Sequence, residues 1–319
     1  MNEIESAIVY RLLSIKGVGR ATANKLLGRL AGNGSRLADL VADSCNSSAL
    51  NGLLNREQIG QLFIAKDRIA DQVQKVIADE GGFLTWADER YPKQLIETLR
   101  DNAPPILSYK GNLNLLASRS VGFCGSRKAS ERGLETARDC AEQIASTDIA
   151  IVSGNAAGVD TAAHFTALNS NGSTIIVLPE GILRFRIRSD LRKVWDWSRV
   201  LVISEFEPGI TWNSGNAMQR NLTIIGLSDV MIVVEAGEEG GTMACGISTL
   251  NLRRPLFAPV YSGMPESAAG NQILIEKGAK PLLRSKSTGR AKLDALLEQL
   301  STSSETYLNS EYQRRLSFL

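Results

Sequence analysis

Three short stretches carry the residue types that hold an anion. Val121-Gly-Phe-Cys-Gly-Ser-Arg127 and Ile151-Val-Ser-Gly-Asn155, with Gly158-Val-Asp160 after it, run from apolar residues into a turn bearing Gly with Ser, and Glu235-Ala-Gly-Glu-Glu-Gly-Gly-Thr242 is a glycine-rich loop that follows another apolar run. That is the form of a parallel strand whose C-terminal end opens onto a helix N-terminus. Free amide N–H groups and the positive end of the helix dipole collect there, so phosphate binds readily. The candidate anion ligands are therefore Gly125, Ser126 and Arg127, then Ser153, Gly154 and Asn155, then Gly240, Gly241 and Thr242. Arg127 adds a fixed positive charge at the first turn. A second chemistry needs weighing, because Asp160 and His164 lie four residues apart on one helical face. No Gly-x-Ser-x-Gly elbow presents a nucleophile to them, so the histidine reads as one held by hydrogen bonds near a helix start. As the chain's one histidine, it also rules out a histidine cluster for a metal, and no motif supports a carboxylate-only site.

These turns need a scaffold of alternating strands and helices, and the chain supplies one from Val121 onward. Apolar runs at 121–124, 149–153, 174–178, 200–203 and 230–234 are separated by helical patterns. This is an α/β fold, a doubly wound, mostly parallel Rossmann-like sheet whose ligands sit at the carboxyl ends of the strands. Further strands are expected at 83–86, 106–109, 256–260 and 280–283. Residues 1–80 read as a small all-helical domain, 81–284 as the Rossmann-like domain, and 285–319 as a helical or mobile tail with one helix over 291–300. Within the first segment, Leu13-Ser-Ile-Lys-Gly-Val-Gly-Arg20 followed by Ala and Leu at helical spacing describes a helix-hairpin-helix. Glycines let such a hairpin turn tightly and leave amides for a phosphate. Lys16, Gly17, Gly19 and Arg20 are its candidate DNA contacts. A Ser/Asn-rich loop over 43–51 and two amphipathic helices between 53 and 77 follow.

A chain of 319 residues with 43% hydrophobic and 22% charged content is an ordinary globular protein with room for a sizeable core. Its net charge of +2 neither demands nor excludes nucleic acid, since a local basic patch matters more than the total. No apolar run is long enough to span a membrane, and the N-terminus lacks the form of a signal peptide. Cys45, Cys124, Cys140 and Cys245 show no CxxC spacing and read as reduced thiols, which places the protein in the cytosol.

Taken in order, these residues resemble the DprA/Smf family of DNA-processing proteins, a branch of the SLOG group of Rossmann-like domains. The resemblance runs from about residue 8 to residue 284. It is carried by the hairpin, Tyr91-Pro92, Pro104-Pro105, Gly111-Asn112, Gly125-Ser126-Arg127, Ser153-Gly154 with Gly158-Val-Asp160 and His164, Ser204-Glu205, Arg220-Asn221, Gly226-Leu-Ser-Asp229, Gly241-Thr242 and Gly270-Asn271. Each is weak by itself, and their order is specific. The resemblance implies sequence-independent binding of single-stranded DNA, protection of that DNA, loading of a RecA-type recombinase in natural transformation, a homodimer, no cofactor and no catalytic activity. It assigns Arg127 to a backbone phosphate, places Arg188 near a family phosphate-binding lysine, and includes Arg220 and Asn221. Its dimer surface would involve the region 246–254. The chain also departs from the pattern. Ala157 stands where an arginine is usual, Leu222 follows Asn221, and Arg184-Phe-Arg-Ile-Arg188 replaces a Tyr-Pro turn. Two cations are lost and a basic stretch, Arg184, Arg186, Arg188, Arg192 and Lys193, has appeared. A role in defence against foreign DNA is thus as credible as transformation.

Two rival functions remain open. The Gly237-Glu-Glu-Gly-Gly-Thr242 loop is similar to the one by which other SLOG proteins bind nucleotides, some as phosphoribohydrolases, with Glu235 or Glu180 to polarise a ribose or activate water. A scaffold acting through protein contacts alone is the third. Phe185 and Trp212 are the candidate stacking aromatics, whereas Trp195 and Trp197, on a helical pattern, suit a core or dimer contact.

Overall fold

The computed structural model describes residues 3–35, 37, 39, 50, 52–62, 67–261 and 263–301. Apart from Leu50, the expected loop over 43–51 lies outside the described residues, as do Cys45 and the tail 302–319. The first half of the chain holds α1 (Glu3–Ser14), α2 (Arg20–Gly32), α3 (Arg56–Leu62), α4 (Arg68–Ala78), β1 (Gly82–Thr85), α5 (Lys93–Leu99) and β2 (Ile106–Gly111). Then follow β3 (Ser120–Cys124), α6 (Glu131–Ala145), β4 (Ala150–Ser153), α7 (Val159–Asn169), β5 (Thr174–Leu178) and β6 (Val200–Ser204). The last third holds α8 (Ser214–Leu227), β7 (Val230–Val233), α9 (Gly241–Asn251), β8 (Leu256–Pro259), α10 (Ala269–Glu276) and β9 (Lys280–Leu282), and a final helix, α11, spans 294–301. The fold is α/β with mostly parallel strands, helices between them and a helical N-terminal region, as the apolar periodicity predicts. One expectation fails. The pattern around Trp195 and Trp197 forms turns and irregular backbone, not a helix. No helix among the described residues is long and apolar enough to cross a membrane.

The chain divides into two compact units. One comprises Met1–Ala117, Ile176–Arg188 and Trp197–Gly226. In it β1 pairs antiparallel with β2, and β2 antiparallel with β6. The α1–α2 hairpin turns at Gly17, which adopts a φ of 84° that favours glycine. Gln58 braces this turn by donating to the Lys16 carbonyl at 3.1 Å. Asp67 starts α4 as its N-cap, accepting from the Ala70 amide at 2.9 Å, and takes a two-pronged ion pair from the buried Arg11. Hydrogen bonding from Arg11 holds its carboxyl below the usual carboxylate range. A depressed folded pKa means that this stabilisation is present above the ordinary carboxylate range and is lost as pH falls through the folded value. Asp67→Ala should therefore cost about 2 kcal/mol at pH 7, as a lost cap plus a charged hydrogen bond. In urea melts over a pH series, its difference from wild type should shrink as pH falls below the ordinary carboxylate range.

The other unit comprises Ser118–Ile175, Ser189–Asp196 and Leu227–Leu319. Its strands run in the order β4-β3-β7-β8-β9, parallel throughout. Their residues are buried almost without exception up to β9, which is why they read as continuous apolar runs rather than alternating ones. Helix α6 lays Ala137, Cys140, Ala141 and Ile144 into the core against Val121, Phe123, Ile151 and Val159. Leu293, Leu296 and Leu300 complete the same core, so the segment after 285 is docked as far as residue 301. Arg290 fastens it, donating to Asp139 at 2.6 Å and to Glu142 at 2.5 Å on α6. Cys124, Cys140 and Cys245 are free thiols, and burial pushes the Cys140 thiol up to about 12.

Candidate nucleic-acid interface

The ends of β4, β3 and β7 lie side by side, and the turns that leave them form the candidate surface. Gly158 is the contact that joins the first two. It has a φ of 80°, and a Cβ there would lie 2.4 Å from the Ser126 carbonyl oxygen and 2.8 Å from the Arg127 carbonyl carbon. Bare glycine thus lets the start of α7 close onto the Ser126–Arg127 peptide, and the Val159 amide donates to the Ser126 oxygen at 3.3 Å. Ser126 turns the chain by accepting from the Lys128 amide at 3.1 Å, and Arg127 and Lys128 are exposed beyond it. Neither α7, which starts after Gly158, nor α9, which starts after Gly240, has a side-chain cap. Their first-turn N–H groups are the donors an anion would use. The Asn155 side-chain oxygen is buried without a hydrogen-bond partner. Asp160, on α7's first turn, works against an anion there, and it accepts from the Ala156 amide at 3.3 Å.

Several other residues singled out by sequence prove to be holding the scaffold. The Ser153 hydroxyl donates to the Phe123 carbonyl at 2.8 Å, tying β4 to β3, so Gly154 and Asn155 are what this turn offers a ligand. His164 is buried, with Nδ1 2.7 Å from the Thr174 hydroxyl and Nε2 2.6 Å from the Gly154 carbonyl. The ring pins the β4 turn to the first residue of β5. Glu235 is fully buried. Its carboxylate accepts from the Ser130 amide at 2.8 Å, the Ser130 hydroxyl, the Tyr261 hydroxyl at 3.0 Å and, more weakly, the Ser267 hydroxyl at 3.4 Å. Ser130 is the N-cap of α6, so this carboxylate sits at a helix start. Four donors around a buried carboxylate hold it as an anchor and leave little of it for a ribose or a water.

The other unit holds the remaining candidates. Lys16, Gly17 and Gly19 are exposed on the hairpin turn. Arg20 instead faces inward, paired with the buried Glu205 and donating to the Asn102 carbonyl at 2.9 Å. Burial pushes the Glu205 carboxyl up, while Arg20 and Arg220 pull it back. Arg220 itself is only 5% exposed, and it donates to the Val177 carbonyl at 2.9 Å. The two arginines thus meet interior partners. Burial also raises Glu180, against the pull of Arg220, and Asn221 is half-buried. Arg186 is exposed and bonds to the carbonyls of Leu183 and Phe185, while Arg188 and Phe185 are half-buried. Trp212 is 49% exposed. Arg192 and Lys193 fall in the first-described candidate surface's unit.

Asn271 has the part that motif reading leaves blank. Wholly buried, it accepts from the Ala236 amide at 2.9 Å and donates to the Val234 and Pro259 carbonyls at 2.9 and 3.1 Å. It thereby closes the ends of β7 and β8 under the Gly237–Gly240 loop. Its signal in the sequence is a polar residue inside the apolar pattern of α10.

The DNA processing protein DprA of Streptococcus pneumoniae is 34% identical over 195 residues, which are 60% of this chain and 68% of that protein. Protein Smf of Escherichia coli is 35% identical over 195 residues, 60% of this chain and 51% of that protein, so the matched region spans about half of the latter's length. The crystal structure of the pneumococcal protein superposes with a TM-score of 0.70 at 28% identity, covering 88% of this chain and 95% of that one. A structure of DNA processing protein A from Helicobacter pylori, described for its single-stranded DNA binding mode, superposes with a TM-score of 0.56 at 25% identity, covering 71% and 97%. The model of the DNA recombination-mediator protein A family matches residues 82–290, and the chain belongs to that family.

Proposed function

We propose that this protein binds single-stranded DNA through its phosphates, without reading sequence, as a DNA-processing protein. The observation that carries the reading is the closure of the uncapped α7 start onto the Ser126–Arg127 peptide. An arginine and the first-turn amides of α7 beyond Val159, which no side chain caps, thereby share one surface, the combination that attracts a phosphate. Family membership and the single-strand binding of the Helicobacter pylori relative support it. Gly125, Ser126, Arg127, Gly154 and Asn155 form the first phosphate contact, and Gly240, Gly241 and Thr242 a second at the α9 start. In the other unit, Arg186, Arg188 and Asn221, and Lys16, Gly17 and Gly19 of the hairpin, are separate candidate contacts for a DNA backbone. Arg20 and Arg220, facing Glu205 and Val177, are assigned a structural role. Protection of DNA entering the cell, delivery to a RecA-type recombinase, action as a homodimer and a place in transformation or defence belong to the same reading.

The test is a titration of labelled oligonucleotide at two salt concentrations. Affinity should fall steeply with salt, because binding to a single strand releases about 0.7 counterion for each phosphate neutralised. The rival reading rests on the exposed, uncapped Gly240-Gly241 helix start. Incubation with nucleoside monophosphates separates the two, since release of free base would favour a nucleotide hydrolase.

A further inference from the structure

One turn after the Gly125-Ser126-Arg127 bend, on the first turn of α6, the Arg132 guanidinium carbon lies 4.4 Å from the centre of the Tyr261 ring. Arg132 is exposed and Tyr261 half-buried beneath it. The ring is fixed from behind. Its hydroxyl donates to Glu235 at 3.0 Å, and Glu235 accepts from the Ser130 amide at 2.8 Å and from the Ser130 hydroxyl. Ser130 caps the helix that carries Arg132, so arginine, tyrosine, glutamate and helix start form one closed and rigid set. A guanidinium is planar and stacks on aromatic faces, and an exposed guanidinium 4.4 Å from a ring centre pairs two flat, polarisable groups of the kind on which a base stacks. We propose that Arg132 and Tyr261 form a platform on which a DNA base stacks while its strand is held at the Arg127 turn. This rests on the single-strand reading above and adds to it a contact with the base, where that reading invokes only phosphates.

Stacking on aromatics and arginines is how single-strand binders gain affinity without choosing sequence, because every base has a flat face. A platform already locked in place loses little freedom when the base arrives. Glu235 acquires a purpose in the same arrangement, as the buried anchor of the platform. Lys128 and Arg127, exposed on the approach to α6, draw the strand toward it, and the exposed Glu131 beside Arg132 is paired with Arg138 at 2.8 Å.

The experiment compares a labelled thymidine oligonucleotide with an abasic strand of equal length, which has the same phosphates and no bases, at one salt concentration. Arg132→Lys keeps the charge and removes the plane, while Tyr261→Leu keeps an apolar filler and removes the ring. Wild type should bind the thymidine strand more tightly than the abasic one. Each variant should lose about tenfold on the thymidine strand, the size of one stacked base, and stay within about twofold on the abasic strand. A variant that loses the same factor on both strands, or nothing on the thymidine strand, overturns the platform. Should Tyr261→Leu unfold in a thermal melt, Arg132→Lys, on an exposed side chain, decides alone. Failure of wild type to bind either strand would instead remove the single-strand reading itself, so the two failures are told apart.

Discussion

Gly158→Ala is expected to lower stability by about 3 kcal/mol and to weaken single-strand binding about tenfold, combining backbone strain with a clash at backbone atoms. Glycine's φ of 80° at this position is one that L residues rarely adopt. Beyond that, the added methyl would meet the Ser126 oxygen at 2.4 Å and the Arg127 carbonyl carbon at 2.8 Å. Neither atom is the end of a flexible side chain, so the peptide carrying Arg127 must move. Gly289→Ala, outside the proposed contacts, is the control. Its φ of 70° is as unusual, yet a Cβ there meets nothing within 4 Å, so strain alone should cost about 1–2 kcal/mol. Urea melts and oligonucleotide titrations of both variants read the difference. Equal losses in the two variants would show that the Gly158 contact has no special part in placing Arg127.

Asn271→Ala should cost about 4 kcal/mol, at the high end for a single substitution. Truncation leaves the Ala236 amide and the Val234 and Pro259 carbonyls without the partners they now have. Each buried and abandoned polar group costs about 1–3 kcal/mol. Because the three groups lie at the ends of β7 and β8, the loss also loosens the loop that leads to α9. Chemical denaturation measures the cost directly, and a change below about 1 kcal/mol, the scale of an ordinary substitution, would mean that the three groups find other partners.

Strands and their order along the chain were legible in the sequence because parallel strands buried on both faces leave an unmistakable run of apolar residues. The Gly-Ser-Arg turn was legible for the same reason, since it ends such a run. What periodicity cannot carry is the direction in which a charged side chain leaves its helix. Arg20 and Arg220 have the composition of DNA ligands, yet one pairs with buried Glu205 and the other reaches the Val177 carbonyl. Glu235 looked like a candidate acid in a glycine-rich loop, and its four donors come from residues 105 positions before it and up to 32 after it. Such partners become neighbours only when the strands are assembled. Gly158 shows the same limit, because its need to be glycine comes from the Ser126–Arg127 peptide as much as from its own φ.

The central claim, that Arg127 at the closed strand-end turn holds a DNA phosphate, is tested most directly by the salt dependence of single-strand binding in wild type and Arg127→Ala. Loss of one phosphate contact should reduce affinity about tenfold near 0.1 M salt and flatten the slope of log affinity against log salt by about 0.7. A variant with the affinity and the slope of wild type would contradict the account.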